Sequence, residues 1–116
     1  MDFVRSVYQD VDTLDVHKLI AHLTDDCVFV FGNAAPITGH AAIEGLLRGF
    51  FGAIAGMRHE IEECWDANGA IISRMRVTYT RKDRIQKSYP AAVIWRMRGP
   101  LIKEFLIYCD NSSLLD

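Results

Sequence analysis

The chain has 116 residues, of which 50% are hydrophobic and 24% charged, with a formal net charge of −2. That length suits one domain, residues 1–116, with a core of its own, and the composition is that of a globular protein rather than a disordered one. The most apolar stretch, Ile43 to Ala55, is too short for a membrane span and is interrupted by Glu44 and Arg48, so no membrane is expected as a partner.

Phe3, Val4, Val7, Tyr8 and Val11 recur at helical spacing, which predicts a first helix over 2–11. A second follows with Asp12 as its N-cap, and Val16, Leu19, Ile20 and Leu23 form its apolar stripe. Asp25-Asp26 is expected to end it, and CVFVF (27–31) reads as a short strand. A loop over 32–36 leads to a third helix from about His40 to Ala55, with Thr38 as its cap. Gly45, Gly49, Gly52 and Gly56 weaken that helix by about 1 kcal/mol each relative to alanine. The expectation is that they let the helix sit close against a sheet; the other reading is that they leave room for a ligand.

After Gly56 the period becomes that of a strand. His59, Ile61, Glu63 and Trp65 are expected on one face, and Arg58, Glu60, Glu62 and Cys64 on the other. Asp66-Ala67-Asn68-Gly69 is a hairpin turn. Strands over 71–81, 85–98 and 101–110 follow, separated by turns at 81–84 and 98–100. Helices first and a meander after them predict an α+β fold with an antiparallel sheet.

Charge is unevenly placed. Residues 1–70 carry four basic and eleven acidic side chains, whereas 71–103 carry nine basic ones and Asp83. The basic residues alternate with apolar ones beside a strand bearing Glu60, Glu62 and Glu63, which points to cross-strand ion pairs on a solvated face rather than to nucleic acid. Cys27, Cys64 and Cys109 form no CxxC pair and lie in apolar runs; with their odd number and no signal peptide, a reduced cytoplasmic protein is expected.

DVHKLIAHLTDDCVFVFGNAAPITGHAAIEGLL, followed by HEIEECW, VTYTRKD, the Pro90 strand and LIKEFLIYCD, resembles the nuclear transport factor 2-like superfamily over nearly the whole chain. The resemblance is nearest to its SnoaL-like branch of polyketide cyclase, ketosteroid isomerase and epoxide hydrolase relatives. It implies a cone-shaped, cystatin-like fold in which three N-terminal helices pack on a curved antiparallel sheet. It also implies a pocket for a small hydrophobic, polycyclic or terpenoid-like molecule, with no cofactor. A fold of this breadth hosts enzymes and binding modules alike.

Within that resemblance, steroid-isomerase chemistry lacks both its carboxylates, because their positions hold Phe31 and Ala92 or Val93. Epoxide-hydrolase chemistry has Arg76 but has Thr78 in place of an aspartate. Cyclase-type chemistry is matched by His59 and Asp110, which are the candidate catalytic residues; burial would raise the aspartate's pKa toward neutrality. Tyr8 falls near the family's oxyanion-binding tyrosine. The candidate ligand-binding residues are Tyr8, Phe31, Asn33, Trp65, Tyr79, Trp95 and Tyr108. If the ladder of Glu60, Glu62, Arg74 and Arg76 faces water, the pocket face carries His59, Ile61, Trp65, Met75, Val77, Tyr79, Val93, Trp95, Tyr108 and Asp110; the epoxide-hydrolase match would put Arg76 inside instead. Ile94, Phe105 and Ile107 then fall outside, where they predict a homodimer through the outer sheet face. His17 and His22 are five apart and no Cys/His cluster has ligand spacing, so no metal is expected. Phosphate-loop and G-x-S-x-G patterns are lacking. The reading is cofactor-free isomerisation, cyclisation or dehydration by proton transfer; the alternative is a non-catalytic ligand- or partner-binding module.

Overall fold

The computed structural model describes all residues 1–116. Helix α1 (Asp2–Asp12) buries Val4, Val7, Tyr8 and Val11, the stripe its periodicity predicts. Leu14 then takes φ 60°, which breaks the helix. Helix α2 (Val16–Ile20) is only five residues long, and its cap is Asp15, whose side chain accepts the His17 N–H at 3.0 Å. Asp12 is therefore the last residue of α1 and not the cap of α2, which frees its carboxylate for another partner.

Strand β1 (Leu23–Phe31) begins four residues earlier than expected. The Ile102 N–H donates to the His22 carbonyl at 2.9 Å, which draws the chain into the sheet, so Leu23 belongs to a strand. Asp25 and Asp26 lie exposed within β1 rather than ending a helix, and Arg98 grips Asp26 at 3.0 and 3.2 Å. A two-residue strand, β2 (Ile37–Thr38), pairs antiparallel with β1. Thr38 is thus a strand residue, and helix α3 (His40–Gly52) starts from Gly39 with no side-chain cap.

The glycines of α3 do not serve close packing. A Cβ built at Gly45, Gly49 or Gly52 would meet nothing within 4 Å, whereas Gly56, already in the next strand, lies 3.4 Å from Thr80. The helix buries Ile43, Leu47 and Phe51 and turns its glycines to solvent.

Strands β3 (Ile54–Ala67), β4 (Ala70–Arg81), β5 (Gln86–Arg98) and β6 (Leu101–Tyr108) form the meander. Asn68 and Gly69 both take positive φ, 52° and 81°, the geometry a two-residue hairpin needs. The curved, open sheet runs β2-β1-β6-β5-β4-β3. It is antiparallel except where β1 lies parallel to β6. No helix is long and apolar enough to cross a membrane.

A bulge corrects the expected face of β3. Ile61 pairs with Met75 and Glu63 with Arg74, so Glu62 is an extra residue and the alternation inverts beyond it. Cys64 now packs on the core, while Trp65 stands on the outer face, 47% exposed. The last strand also has the opposite parity to the one expected: Phe105 is buried and Ile107 packs against the core, so neither lies outside. Arg74 reaches both Glu63 (2.8 Å) and Glu62 (3.2 Å), and Arg96 reaches Glu104 (3.2 Å), so the basic strands are paired across the outer face as their alternation predicts. Arg76 is exposed on that face.

Candidate functional site

Helices α1, α2 and α3 and the concave face of the sheet enclose a cavity of about 70 Å³ lined by 18 residues, 17 of them hydrophobic. The exception is His59. Phe29, Phe31, Phe50, Phe51 and Phe105 make the wall largely aromatic, and Met57 and Met75 supply adaptable surface. Ligand pockets usually measure hundreds of Å³, so this space is narrower than the sequence suggests and a ligand must displace wall side chains to enter.

The polar end is built by α1 and β3. Tyr8 and Asp12 are four residues apart and share one face of α1. Asp12 Oδ2 accepts the His59 backbone N–H at 2.9 Å, and its Oδ1 lies 2.6 Å from His59 Nδ1. A carboxylate only accepts, so Nδ1 carries a proton and Nε2 is the ring nitrogen left for a reaction partner. The Tyr8 ring lies against His59 (centroids 4.5 Å apart) and stacks on Trp95 (5.4 Å). Tyr8 is 4% exposed and its hydroxyl has no hydrogen-bond partner. Burial, and then the nearby Asp12 carboxylate, pushes this phenol well above its ordinary range, so it remains a neutral donor. An open polar cleft with Arg5, Gln9, Asp12 and Glu60 shares Tyr8 and His59 with the cavity, which gives the histidine–aspartate pair a route to water.

A second, wide cleft of about 700 Å³ shares Phe31 and Cys109 with the cavity and adds Asn33, Pro90, Tyr108, Asp110, Asn111 and Ser112. Asp110 is exposed here. Its Oδ1 accepts from the Ser112 hydroxyl at 2.6 Å and the Ser112 N–H at 3.0 Å. These bonds, the hydroxyl's first, hold its carboxyl below the usual range, the opposite of the upward shift a buried catalytic carboxyl would show.

The candidate residues thus divide into groups. Tyr8, Phe31, His59 and Tyr79 meet at the cavity, and Phe31, Asn33, Tyr108 and Asp110 line the wide cleft. The expected pairing of Asp110 with His59 in one pocket is not formed; His59 pairs with Asp12. The two tryptophans line neither. Trp65 faces outward beyond the β3 bulge, and Trp95, 1% exposed, is core packing behind Tyr8. Asp12 escaped the sequence reading because a cap explained it; its i, i+4 relation to Tyr8 was the available signal. Of the positions that would hold isomerase carboxylates, Phe31 and Val93 lie on the cavity wall and Ala92, the other candidate for the second, does not. Thr78 hydrogen-bonds Ser88 at 2.8 Å, and with Arg76 exposed the two form no epoxide-opening constellation inside. No three His, Cys, Asp or Glu side chains gather as a metal site would require.

A curved sheet closed over by N-terminal helices around an apolar interior defines the nuclear transport factor 2-like class. The SnoaL-like domain pattern matches residues 4–105, and the chain belongs to that family. No curated protein matches it by sequence. Solved structures of the same shape include a hypothetical protein with a ketosteroid isomerase-like fold from Catenulispora acidiphila, in complex with trimethylamine (TM-score 0.86, 20% identity, 97% of this chain and 88% of that one). A SnoaL-like polyketide cyclase assignment from Shewanella putrefaciens gives 0.81 at 14% identity over 97% and 90%. An epoxide hydrolase of the M. tuberculosis LEH-like type gives 0.80 at 17% over 94% and 80%. At these identities the likeness is one of fold.

Proposed function

We propose that the protein binds a small hydrophobic molecule bearing a carbonyl-type oxygen in the cavity and moves a proton on it without a cofactor, in an isomerisation, cyclisation or dehydration. One observation carries this reading: the otherwise apolar cavity ends in an imidazole whose Nδ1 is held by Asp12 at 2.6 Å, beside the unpartnered hydroxyl of Tyr8. The Tyr8 O–H donates to the ligand oxygen and stabilises negative charge as it develops there. His59 Nε2 takes the proton from the adjacent carbon and returns it elsewhere, and Asp12 steadies the cationic ring between the two steps. The apolar wall limits water around the ligand's reacting carbon, while the polar cleft beside Asp12 lets the pair exchange protons with solvent between turnovers.

The test uses 2-tetralone, a flat bicyclic ketone with exchangeable protons beside its carbonyl. Deuterium exchange in D2O, followed by NMR, is expected to be accelerated by the protein. His59→Gln should remove at least about 10²-fold of that acceleration with the fold intact by circular dichroism. Binding of 2-tetralone with no acceleration would instead make the chain a non-catalytic binding module of the same fold.

Assembly is part of the same proposal. Trp65, Ile72, Ile94 and Leu106 are in register across β3 to β6, and the charge pairs of Arg74 and Arg96 flank them. An apolar row edged by charges of both signs suits a two-fold homodimer through the outer face. Ile94→Glu should convert a sedimenting dimer to monomer; a wild-type monomer at micromolar concentration would refute the dimer.

A further inference from the structure

Beyond the cavity, the wide cleft beside it has a different chemistry that the proton-transfer reading leaves unused. The two spaces adjoin, and Phe31 and Cys109 belong to the walls of both. A hydrogen bond ties them as well: Asn111 Nδ2 donates to the Tyr79 hydroxyl at 3.3 Å, and the Tyr79 ring forms part of the cavity wall. The cleft walls are already assembled. The Gly32 N–H donates to the Ile107 carbonyl at 2.9 Å. At φ +53°, a Cβ on Gly32 would come within 3.3 Å of the Cys109 carbonyl, so the loop bearing Asn33 lies close against the segment bearing Asp110.

Three features of this cleft present groups that the fold leaves unused. Tyr108 is 59% exposed, a flat aromatic face open to solvent. The Asp110 carboxylate is fixed through Oδ1 by Ser112, which leaves Oδ2 free to accept. The Asn33 amide, exposed on the facing loop, offers both a donor and an acceptor. An aromatic plate beside a carboxylate and an amide matches one ligand chemistry well. The apolar C–H face of a sugar or similar polyol lies on the ring, while neighbouring hydroxyls donate to the carboxylate and exchange hydrogen bonds with the amide.

We propose that this cleft is a subsite for a hydroxylated, sugar-like portion of a ligand whose flat apolar portion occupies the cavity, with Tyr108 as the stacking platform and Asp110 and Asn33 as the hydroxyl-binding pair. The inference rests on the cavity reading above and narrows its substrate class to amphipathic molecules, apolar at the reacting end and polyhydroxylated at the other. It also gives Asp110 a task suited to an ionised, solvated carboxylate, that of binding rather than proton transfer.

Calorimetric titration of the wild-type protein with 2-naphthol and with 2-naphthyl β-D-glucopyranoside tests it. The glucoside is expected to bind about tenfold more tightly. Tyr108→Ala and Asp110→Ala should each abolish most of that difference while leaving 2-naphthol affinity unchanged. Both side chains are exposed, and since Asp110→Ala also removes the two bonds to Ser112, circular dichroism checks that each variant keeps its fold. Equal affinity for the two ligands, or a preference that survives both substitutions, overturns the subsite. Tighter binding of 2-naphthyltrimethylammonium than of the glucoside would also overturn it, because the aromatic–carboxylate pair would then be a cation site. Failure of 2-naphthol to bind at all would break the cavity reading instead. In that event saturation-transfer NMR with methyl β-D-glucoside decides the cleft by itself. A transfer signal that the wild type gives and Tyr108→Ala does not upholds the subsite, and a silent wild type ends it.

Discussion

Asp12 and Asp110 are the same side chain in two different clefts that border one cavity, and their surroundings give them different chemistry. Asp12 meets His59 twice, through the ring and through the backbone, at a point where the cavity closes on Tyr8. Asp110 faces water and spends one oxygen on the turn that follows it. A carboxylate that orients an imidazole beside an apolar wall is placed to support proton transfer; one held by a serine in an open cleft has an oxygen left to accept from a ligand. Position along a strand said little about which would be which. What decided it was the partner each carboxylate found.

The two tryptophans provide the sharpest way to break this contrast between a built interior and an open surface. Trp95→Ala removes the plate behind Tyr8 and should cost about 3–5 kcal/mol in urea denaturation, the range for truncating a large buried aromatic. Trp65→Ala, on the outer face, should change monomer stability by no more than about 0.5 kcal/mol. Similar costs for both would mean that the inner and outer faces have been assigned the wrong way round.

The aspartates themselves come next. Asp12→Asn should slow 2-tetralone exchange by about 10²-fold, since an amide no longer fixes the proton on Nδ1 or steadies the charged ring. Asp110→Asn should leave the exchange rate unchanged. Equal losses would return Asp110 to the reaction.

Alkaline pH separates the groups buried in the interior from those in the open cleft. Burial raises the Cys27 thiol from 9.0 to about 11 and, as the leading cause, the Tyr79 phenol from 10.0 to about 12. Their folded values exceed the unfolded ones, so they stabilise the fold fully below pH 9 and progressively less as pH rises toward 12. Denaturation midpoints should therefore fall across that window, and Cys27→Ala should remove the part of the decline between about 9 and 11. Asp110 has the opposite sign. Its lowered carboxyl contributes above the ordinary carboxylate value of 3.8 and loses that contribution as pH falls through its folded value.

The smallest effect concerns the helix that covers the cavity. Gly45→Ala and Gly49→Ala place a methyl group in open space and should each stabilise the protein by about 0.5–1 kcal/mol in thermal or urea unfolding. Destabilisation would restore the expectation that these glycines serve close packing.

Much of the architecture was legible in the chain itself. The helical stripe of Val4, Val7, Tyr8 and Val11, the Asn68-Gly69 hairpin and the charged alternation of β4 and β5 are local patterns, and each specifies its element through contacts between near neighbours in the chain. His59 and Tyr8 were singled out differently, by the places they hold in the SnoaL-like resemblance. The Glu62 bulge, by contrast, leaves no mark that periodicity can detect. One inserted residue sends Trp65 outward and Cys64 inward, and the surplus is visible only when β3 is laid against β4. Leu23 likewise fits a helical stripe until Ile102, far along the chain, claims the His22 carbonyl for the sheet.

By itself, then, the sequence determined the order of the three helices and of every strand except β2, the α+β class and the apolar character of the interior, because these follow from propensity and from which faces must leave water. Only the tertiary structure decided that Asp12 rather than Asp110 holds His59, that Tyr8 keeps an unpartnered hydroxyl, and that Asn33, Tyr108 and Asp110 share a cleft. Each of these depends on groups distant in sequence meeting within a few ångströms, and the free energy of a buried charge or donor is set by that meeting rather than by its neighbours along the chain.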